Sequence, residues 1–284
     1  MRAFTRRNLL VFFRDRAAVF YSLLASLIII GLYALFLGNN MASYMEYFPD
    51  ARQLVDRWLV AGLVSITSIT AAMGAFGVMV DDKAKRIIQD FYTSPIRRWK
   101  LIGGYVTGAF IIGVILSVIT MLVAQLYIVA QGGSLMSLAE YGEALLIILL
   151  GTFCNTSMVF FFAYFFTTES AFGTASTLLG TLIGFVTGIY IPIGILPDGV
   201  QWVIKLFPTS HAVVLLRQVM TNAFFASYQS AIPASVVTDI KQEMGIVYFF
   251  GDNILPNYAS VLILIGVGVF FCLLSLLHVK RKQA

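Results

Sequence analysis

The residues from Asp81 to Lys100 mix charged and apolar side chains in a pattern that suits docking rather than catalysis. Ile87, Ile88, Phe91 and Tyr92 recur at i, i+1, i+4 and i+5, the spacing of one helical stripe, while Lys83, Arg86 and Asp90 take the opposite side. Asp81 and Asp82 stand just ahead of the stripe, where an opening helix would favour them near its positive dipole end. Ser94-Pro95 then reads as N-cap and first residue of a following helix. Such a stripe either lies on a lipid surface or fills a groove in a partner protein. The groove makes Lys83, Arg86, Ile87, Ile88, Asp90, Phe91, Tyr92 and Pro95 the expected contact residues.

The rest of the chain is poor in reactive groups. It carries no G-x-x-x-x-G-K-[ST] loop and no H-E-x-x-H, so neither nucleotide phosphates nor zinc have their usual holders, and no catalytic or metal-binding set is expected. His211 and His278 are expected on opposite sides of a membrane, His211 as an interfacial structural residue. Cys154 and Cys272 lie inside apolar stretches, where they act as small apolar residues. Gly194 to Gly199 is no dinucleotide fingerprint, because Pro197 interrupts it. Hydroxyls are frequent within apolar stretches, and their ordinary work there is hydrogen bonding between helices. Ser65, Ser68 and Thr70 are the candidates for contact with a transported molecule.

These residues need elements to position them, and the charge pattern supplies the elements. At 284 residues, 59% hydrophobic and 12% charged, the chain has a mean hydropathy of +0.88. Six stretches contain no Asp, Glu, Lys or Arg: 19–38, 58–80, 101–130, 144–168, 170–197 and 253–279. Crossing a bilayer takes about 20 apolar residues, and each crossing segment must be helical unless it belongs to a closed barrel. Barrel strands are shorter and alternate in polarity. The expected fold is one all-α transmembrane domain of six helices.

Orientation follows from the basic residues. Arg2, Arg6, Arg7, Arg14 and Arg16 precede the first span, Lys83, Lys85, Arg86, Arg97, Arg98 and Lys100 separate spans 2 and 3, and Lys280, Arg281 and Lys282 close the chain. Only Arg52, Arg57, Lys205, Arg217 and Lys241 fall on the other side. The positive-inside rule puts both termini in the cytoplasm of a multi-pass cell-membrane protein. It also explains the net charge of +5 by topology and lipid headgroups rather than nucleic acid. The first apolar run is longer than a cleavable signal segment and predicts a retained anchor.

Around the spans, residues 1–17 suit an interfacial segment, although its arginines mark no clean amphipathic face. Residues 81–100 form a cytoplasmic loop with a short helix, and 198–252 an external segment containing a re-entrant helical hairpin. Thr209 or Ser210 is expected to cap a helix there near His211, and Arg217 must reach an interface or a partner, since charge in hydrocarbon costs a few kcal/mol or more. Pro192 and Pro197 are expected to end span 5. Gly180, Gly184 and Gly188 repeat every four residues in that span, a stripe for close packing within the chain or across a dimer. Ion-coupled carriers generally keep ionisable groups in the bilayer. With none here, energy for transport would have to enter from outside the membrane, through residues 81–100.

Several segments, taken in order, resemble the type-2 permeases of the ATP-binding-cassette (ABC) exporter superfamily, the drug, antibiotic and polysaccharide export type. They are Arg6-Arg7-Asn8-Leu9-Leu10-Val11-Phe12-Phe13-Arg14-Asp15-Arg16 before span 1, and Phe91-Tyr92-Thr93-Ser94-Pro95-Ile96-Arg97-Arg98-Trp99-Lys100-Leu101 ahead of span 3. The third is Pro192-Ile193-Gly194-Ile195-Leu196-Pro197, with Phe207-Pro208-Thr209-Ser210-His211 and Leu216-Arg217 after it. The loop departs from the family's acidic pattern, with Asp82-Lys83 and Arg86-Ile87-Ile88-Gln89. The resemblance implies a separate ABC ATP-binding subunit that carries ATP and Mg, with no cofactor on this chain. It further implies a second permease chain, identical or different, and a path lined by spans 1, 2 and 5 for amphiphilic or lipid-like cargo. A toxin-sensing or immunity module and a membrane-embedded enzyme using span serines or His211 are the alternatives.

Overall fold

At the centre runs α4 (Ala51–Ala84), whose most apolar stretch is 78% buried by the helices around it. The computed structural model describes every residue except 44, 46, 47, 94, 95, 229, 252 and 282–284, and the side chains of 18, 25, 92, 98 and 279–281 also lie outside the described set. Before α4 come α1 (Arg2–Arg14) and α2 (Arg16–Leu32), which continues through a π-turn (Tyr33–Leu37) into α3 (Gly38–Ser43). After it come α5 (Ile87–Thr93), α6 (Arg98–Ala130), α7 (Leu138–Ala163), α8 (Glu169–Val186), α9 (Asp198–Leu206), α10 (Pro208–Ser227), α11 (Ala234–Glu243) and α12 (Asn257–Arg281). One small antiparallel pair, β1 (Phe249–Phe250) with β2 (Asn253–Ile254), interrupts an otherwise helical chain.

Helix α4 packs against α1, α2, α3, α6, α7, α8 and α10, and α12 lies outside α7 and α10. The first and last apolar helices are only 18% and 22% buried in their most apolar stretches. Surface of that kind, Leu35, Phe36, Leu262 and Phe270 among it, needs lipid rather than water around it. The bundle has two unlike ends. One carries α1, α5 and the start of α8 and is rich in Arg and Lys; the far end carries α9, α10, α11 and the β pair.

Among the described residues five helical segments are long and apolar enough to cross a bilayer: Val19–Ser43, Ala51–Ala84, Trp99–Ala130, Leu138–Ala163 and Asn257–His278. The fifth expected span differs. Helix α8 has 18 residues, diluted by Gly, Ser and Thr, and it stops at Val186. The prolines do not stop it. Gly188 at φ +64 takes the left-handed conformation that glycine adopts most cheaply, its N–H reaches Phe185 O, and the Ile189 N–H reaches Gly184 O at 2.9 Å.

Helices α9 and α10 meet at 89° in the segment where a re-entrant helical hairpin was expected. Its cap differs, because α10 opens on Pro208 with no side-chain cap. Thr209 instead donates to Asn155 Oδ1 at 2.7 Å, and the Ser210 hydroxyl turns back to the Ile204 and Phe207 carbonyls. The expected Ser94-Pro95 cap lies outside the described residues; α6 opens at Arg98. The amphipathic face missing from the arginine pattern of the N-terminal segment is present in α1 as Phe4, Thr5, Asn8 and Phe12, all buried.

Candidate functional site

At the basic end, α4 runs past its apolar stretch to Ala84, so Asp81 and Asp82 close a helix instead of opening one. A carboxylate at a helix C-terminus is opposed by the dipole, and each has a cation to offset it. Lys85 holds Asp81 at 2.6 Å. Asp82 accepts from both terminal nitrogens of Arg7, with Nη2 at 2.8 Å from Oδ1, and from the Tyr105 hydroxyl. That pairing raises the Arg7 guanidinium above its ordinary pKa. The Arg7 guanidinium also lies beside the paired Phe4 and Phe91 rings, 5.7 and 5.6 Å from their centroids.

Arg86 turns the chain from α4 into α5 with φ +59, a conformation that strains a residue with a Cβ. Of the stripe expected to fill a partner's groove, Ile88 and Phe91 are half-buried against the chain's own helices. Phe91 meets Phe4 edge-on at 5.0 Å, Phe4 meets Tyr105 at 4.9 Å, and Ile88 packs beside them. Spacing identifies a greasy face but not its neighbour, and here the neighbour is α1. Lys83 is also used internally, donating to Tyr164 O at 2.8 Å. Lys85, Arg86, Gln89, Asp90 and Thr93 are exposed and Ile87 is half-buried. Pro95 and the Tyr92 side chain lie outside the described residues.

Above this joint a groove opens between α2, α4 and α8. A cavity of about 420 Å³ is lined by Tyr21, Ser22, Thr70, Met73, Gly180 and Ile183, among others. A second cavity of about 530 Å³, lined by Arg7, Asp15, Asp81, Lys85 and Glu169, shares Gly74, Gly77 and Phe172 with the first. The two make one channel-like groove, charged at the basic end and apolar within. Lys85 spans its mouth, 2.6 Å from Asp81 and 3.6 Å from Glu169. Contact with Asp81 raises the Glu169 carboxyl above its usual range.

The other expected site residues separate. Thr70 lines the groove, whereas Ser65 and Ser68 are buried on the opposite side of α4. Ser68 accepts from Asn155 Nδ2 at 2.7 Å, and Asn155 accepts from Thr209, a chain of bonds that ties α4, α7 and α10. The glycine stripe also divides. Gly180 faces open space, Gly184 lies under the Tyr190 ring, and Gly188 ends the helix. Within the chain it is therefore not one packing face.

At the far end His211 is fully engaged by Ser260 and the Lys205 carbonyl. Arg217 reaches neither interface nor carboxylate. Buried, it donates to the carbonyls of Met244, Gly245 and Gly188 and lies 4.3 Å from the Trp58 ring. Arg7, Asp82 and Tyr105 were not singled out from sequence as a set; the buried face of α1 was the available signal.

A family description of ABC-2 transporter proteins matches residues 39–277, from α3 through α4 and α8 into α12. Among curated proteins none matches. With most of its length covered by that match, the chain belongs to the ABC-2 family of transporter membrane proteins.

Proposed function

We propose that this chain is the membrane-spanning subunit of an ABC exporter, and that a separate ABC ATPase drives it through α5. In this reading the basic end is cytoplasmic, α8 and the five longer helices cross the cell membrane six times, and α9–α10 is re-entrant from outside. The observation that carries the reading is the mechanical continuity of α4. The middle of that helix lines the groove through Thr70 and Met73, and its C-terminal end is bolted to α1 by Asp82 and turns directly into α5. A push on α5 therefore moves the groove wall.

The groove helices α2, α4 and α8 are spans 1, 2 and 5, and facing a second permease chain they would enclose a path. Its charged mouth and apolar interior suit an amphiphilic or lipid-like cargo that enters head first. Differential affinity between the inward- and outward-open states is what makes such a cycle vectorial. An enzymatic role for His211 would require breaking both of its hydrogen bonds, which favours transport over catalysis as the reading.

The test uses the exposed side of α5. Asp90→Arg and Gln89→Glu leave the Ile88–Phe91 seat intact, so membrane insertion and assembly should be normal while cargo-stimulated ATPase activity falls. Full stimulation and full export in the double variant would remove α5 as the point of energy entry.

A further inference from the structure

A cavity of about 630 Å³ lies away from the groove, at the far end of the bundle, between α7, α10, α11 and the start of α12. Its floor is apolar: Ile147, Leu215 and Val261 belong to the cluster that packs α7, α10 and α12 together. Leu146 lines the cavity and is still 67% exposed, and Ile265, one turn along α12 from Val261, is exposed as well. The floor therefore continues onto an apolar flank of α7 and α12 that lipid must cover.

The rim carries both signs of charge, and they do not pair. Lys241 comes from α11; Glu140 and Glu143 come from α7, where a spacing of three puts them on one face. Glu140 is committed to capping α7, its carboxylate accepting from the Ser137 N–H at 2.6 Å. Glu143 is exposed and has no hydrogen bond or ion pair among the described residues. Among those residues Lys241 has only the Phe225 ring for a partner. Its position is fixed by the turn that ends α11: the Ile246 N–H reaches Lys241 O at 2.8 Å and the Gly245 N–H reaches Gln242 O at 3.0 Å, with Gly245 at φ +61. Asn222, exposed on α10, stands with Lys241 between this cavity and a smaller one of about 340 Å³. A half-buried ammonium with no counter-charge costs the fold stability. Held rigidly at the mouth of a cavity, it is a ready partner for an anion from outside the chain.

We propose that this cavity is a headgroup site for a phospholipid of the ethanolamine class, with its phosphate on Lys241 and Asn222, its ammonium on Glu143 and its acyl chains over Leu146 and Ile265. The ligand carries both signs because a purely anionic headgroup would bring its charge toward two glutamates, and a purely cationic one toward the lysine. A primary ammonium fits better than a quaternary one. It donates hydrogen bonds to carboxylates, whereas a trimethylammonium is held by an aromatic cage. Phe225 is the single aromatic among the described lining residues, and Lys241 already covers it. The site requires these helices to sit in a bilayer but does not require the groove to be a transport path.

The test takes the purified full chain, stripped of lipid in detergent, and counts bound lipid by native mass spectrometry. Dioleoyl phosphatidylethanolamine is compared with the phosphatidylcholine and phosphatidylglycerol of the same chains, and soluble glycerophosphoethanolamine is added as a competitor. The ethanolamine lipid should bind at least about fivefold tighter than the choline lipid. Glu143→Gln, at an exposed position that puts the fold at little risk, should erase that preference and leave choline-lipid binding unchanged. Lys241→Met should weaken both lipids about tenfold, the scale of a hydrogen bond to a charged group. Equal binding of the ethanolamine and choline lipids, a preference that survives Glu143→Gln, or undiminished binding in Lys241→Met overturns the site. Tighter binding of the glycerol lipid overturns the zwitterion in favour of a simple anion site. Displacement of the lipid by an equal concentration of glycerophosphoethanolamine overturns the membrane as the source of the headgroup.

Discussion

Arg7 and Asp82, 75 residues apart in sequence, form a two-pronged ion pair that joins the N-terminal helix to the end of the central one. Asp82 is almost completely buried and Arg7 is 31% exposed, so the pair stands at the edge of water with its carboxylate side inside. Removing the cation strands the carboxylate, which is the expensive way to break such a pair.

Arg7→Ala should therefore lower stability by about 2 kcal/mol, less than a fully buried pair because solvent screens Arg7. Asp82→Asn, which keeps a hydrogen-bonding group for both Arg7 and Tyr105, should lower it less. Melting in detergent gives the order, and stimulated ATPase activity should follow it; equal melting for both variants would mean that the ion pair is not what joins α1 to α4.

The three glycines of the four-residue repeat, Gly180, Gly184 and Gly188, should respond in different ways. Gly180→Ala meets nothing and should be neutral within the chain. Gly188→Ala must take φ +64 with a Cβ, at about 1 kcal/mol. Gly184→Ala drives a Cβ within 2.3 Å of the Tyr190 ring and should cost the most unless that ring swings clear. Crosslinking of paired permease chains tests the remaining role: if Gly180 packs across a dimer, Gly180→Ala weakens the pair without changing the melting of the single chain.

Asn155 supports two hydroxyls on two other helices. Asn155→Leu leaves Ser68 and Thr209 without it and should cost about 1–2 kcal/mol, the range for polar contacts between membrane helices. Adding Thr209→Val should cost less than Thr209→Val alone, since the partner has already gone; strict additivity in the double variant would show that the chain of bonds is not coupled.

Lys241 is half-buried over the Phe225 ring at 4.7 Å, and burial holds its ammonium below the lysine value of 10.5. A lysine depressed in the folded state binds fewer protons there than when unfolded. Stability then rises with pH between the folded value and 10.5. Lys241→Met should accordingly melt higher than the parent at neutral pH, with the advantage shrinking as the medium becomes alkaline. An advantage that grows with pH would reverse the sign of the burial effect.

The apolar helices were legible because a bilayer imposes a composition that can be counted. Residues 58–80 and 101–130 lack charge for a reason that acts on each segment alone, and the structure encloses both within single helices, α4 and α6. Helices α9 and α10 fall in the segment where a helical hairpin was expected. The helix ends were less legible. Pro192 looks like a stop, yet Gly188 stops α8 four residues earlier, because a left-handed residue ends a helix as firmly as a missing N–H.

Direction and partnership are what sequence left undetermined. The stripe Ile87, Ile88, Phe91 and Tyr92 was visible as a stripe, but periodicity records that a face is apolar and not what covers it. Only the folded chain turns Phe91 onto Phe4, places Asp82 under Arg7 and sets Ile189 over Gly62. Those contacts join residues dozens to more than a hundred positions apart, and no local preference encodes them. They arise because helices already made by local physics must then share one another's surfaces.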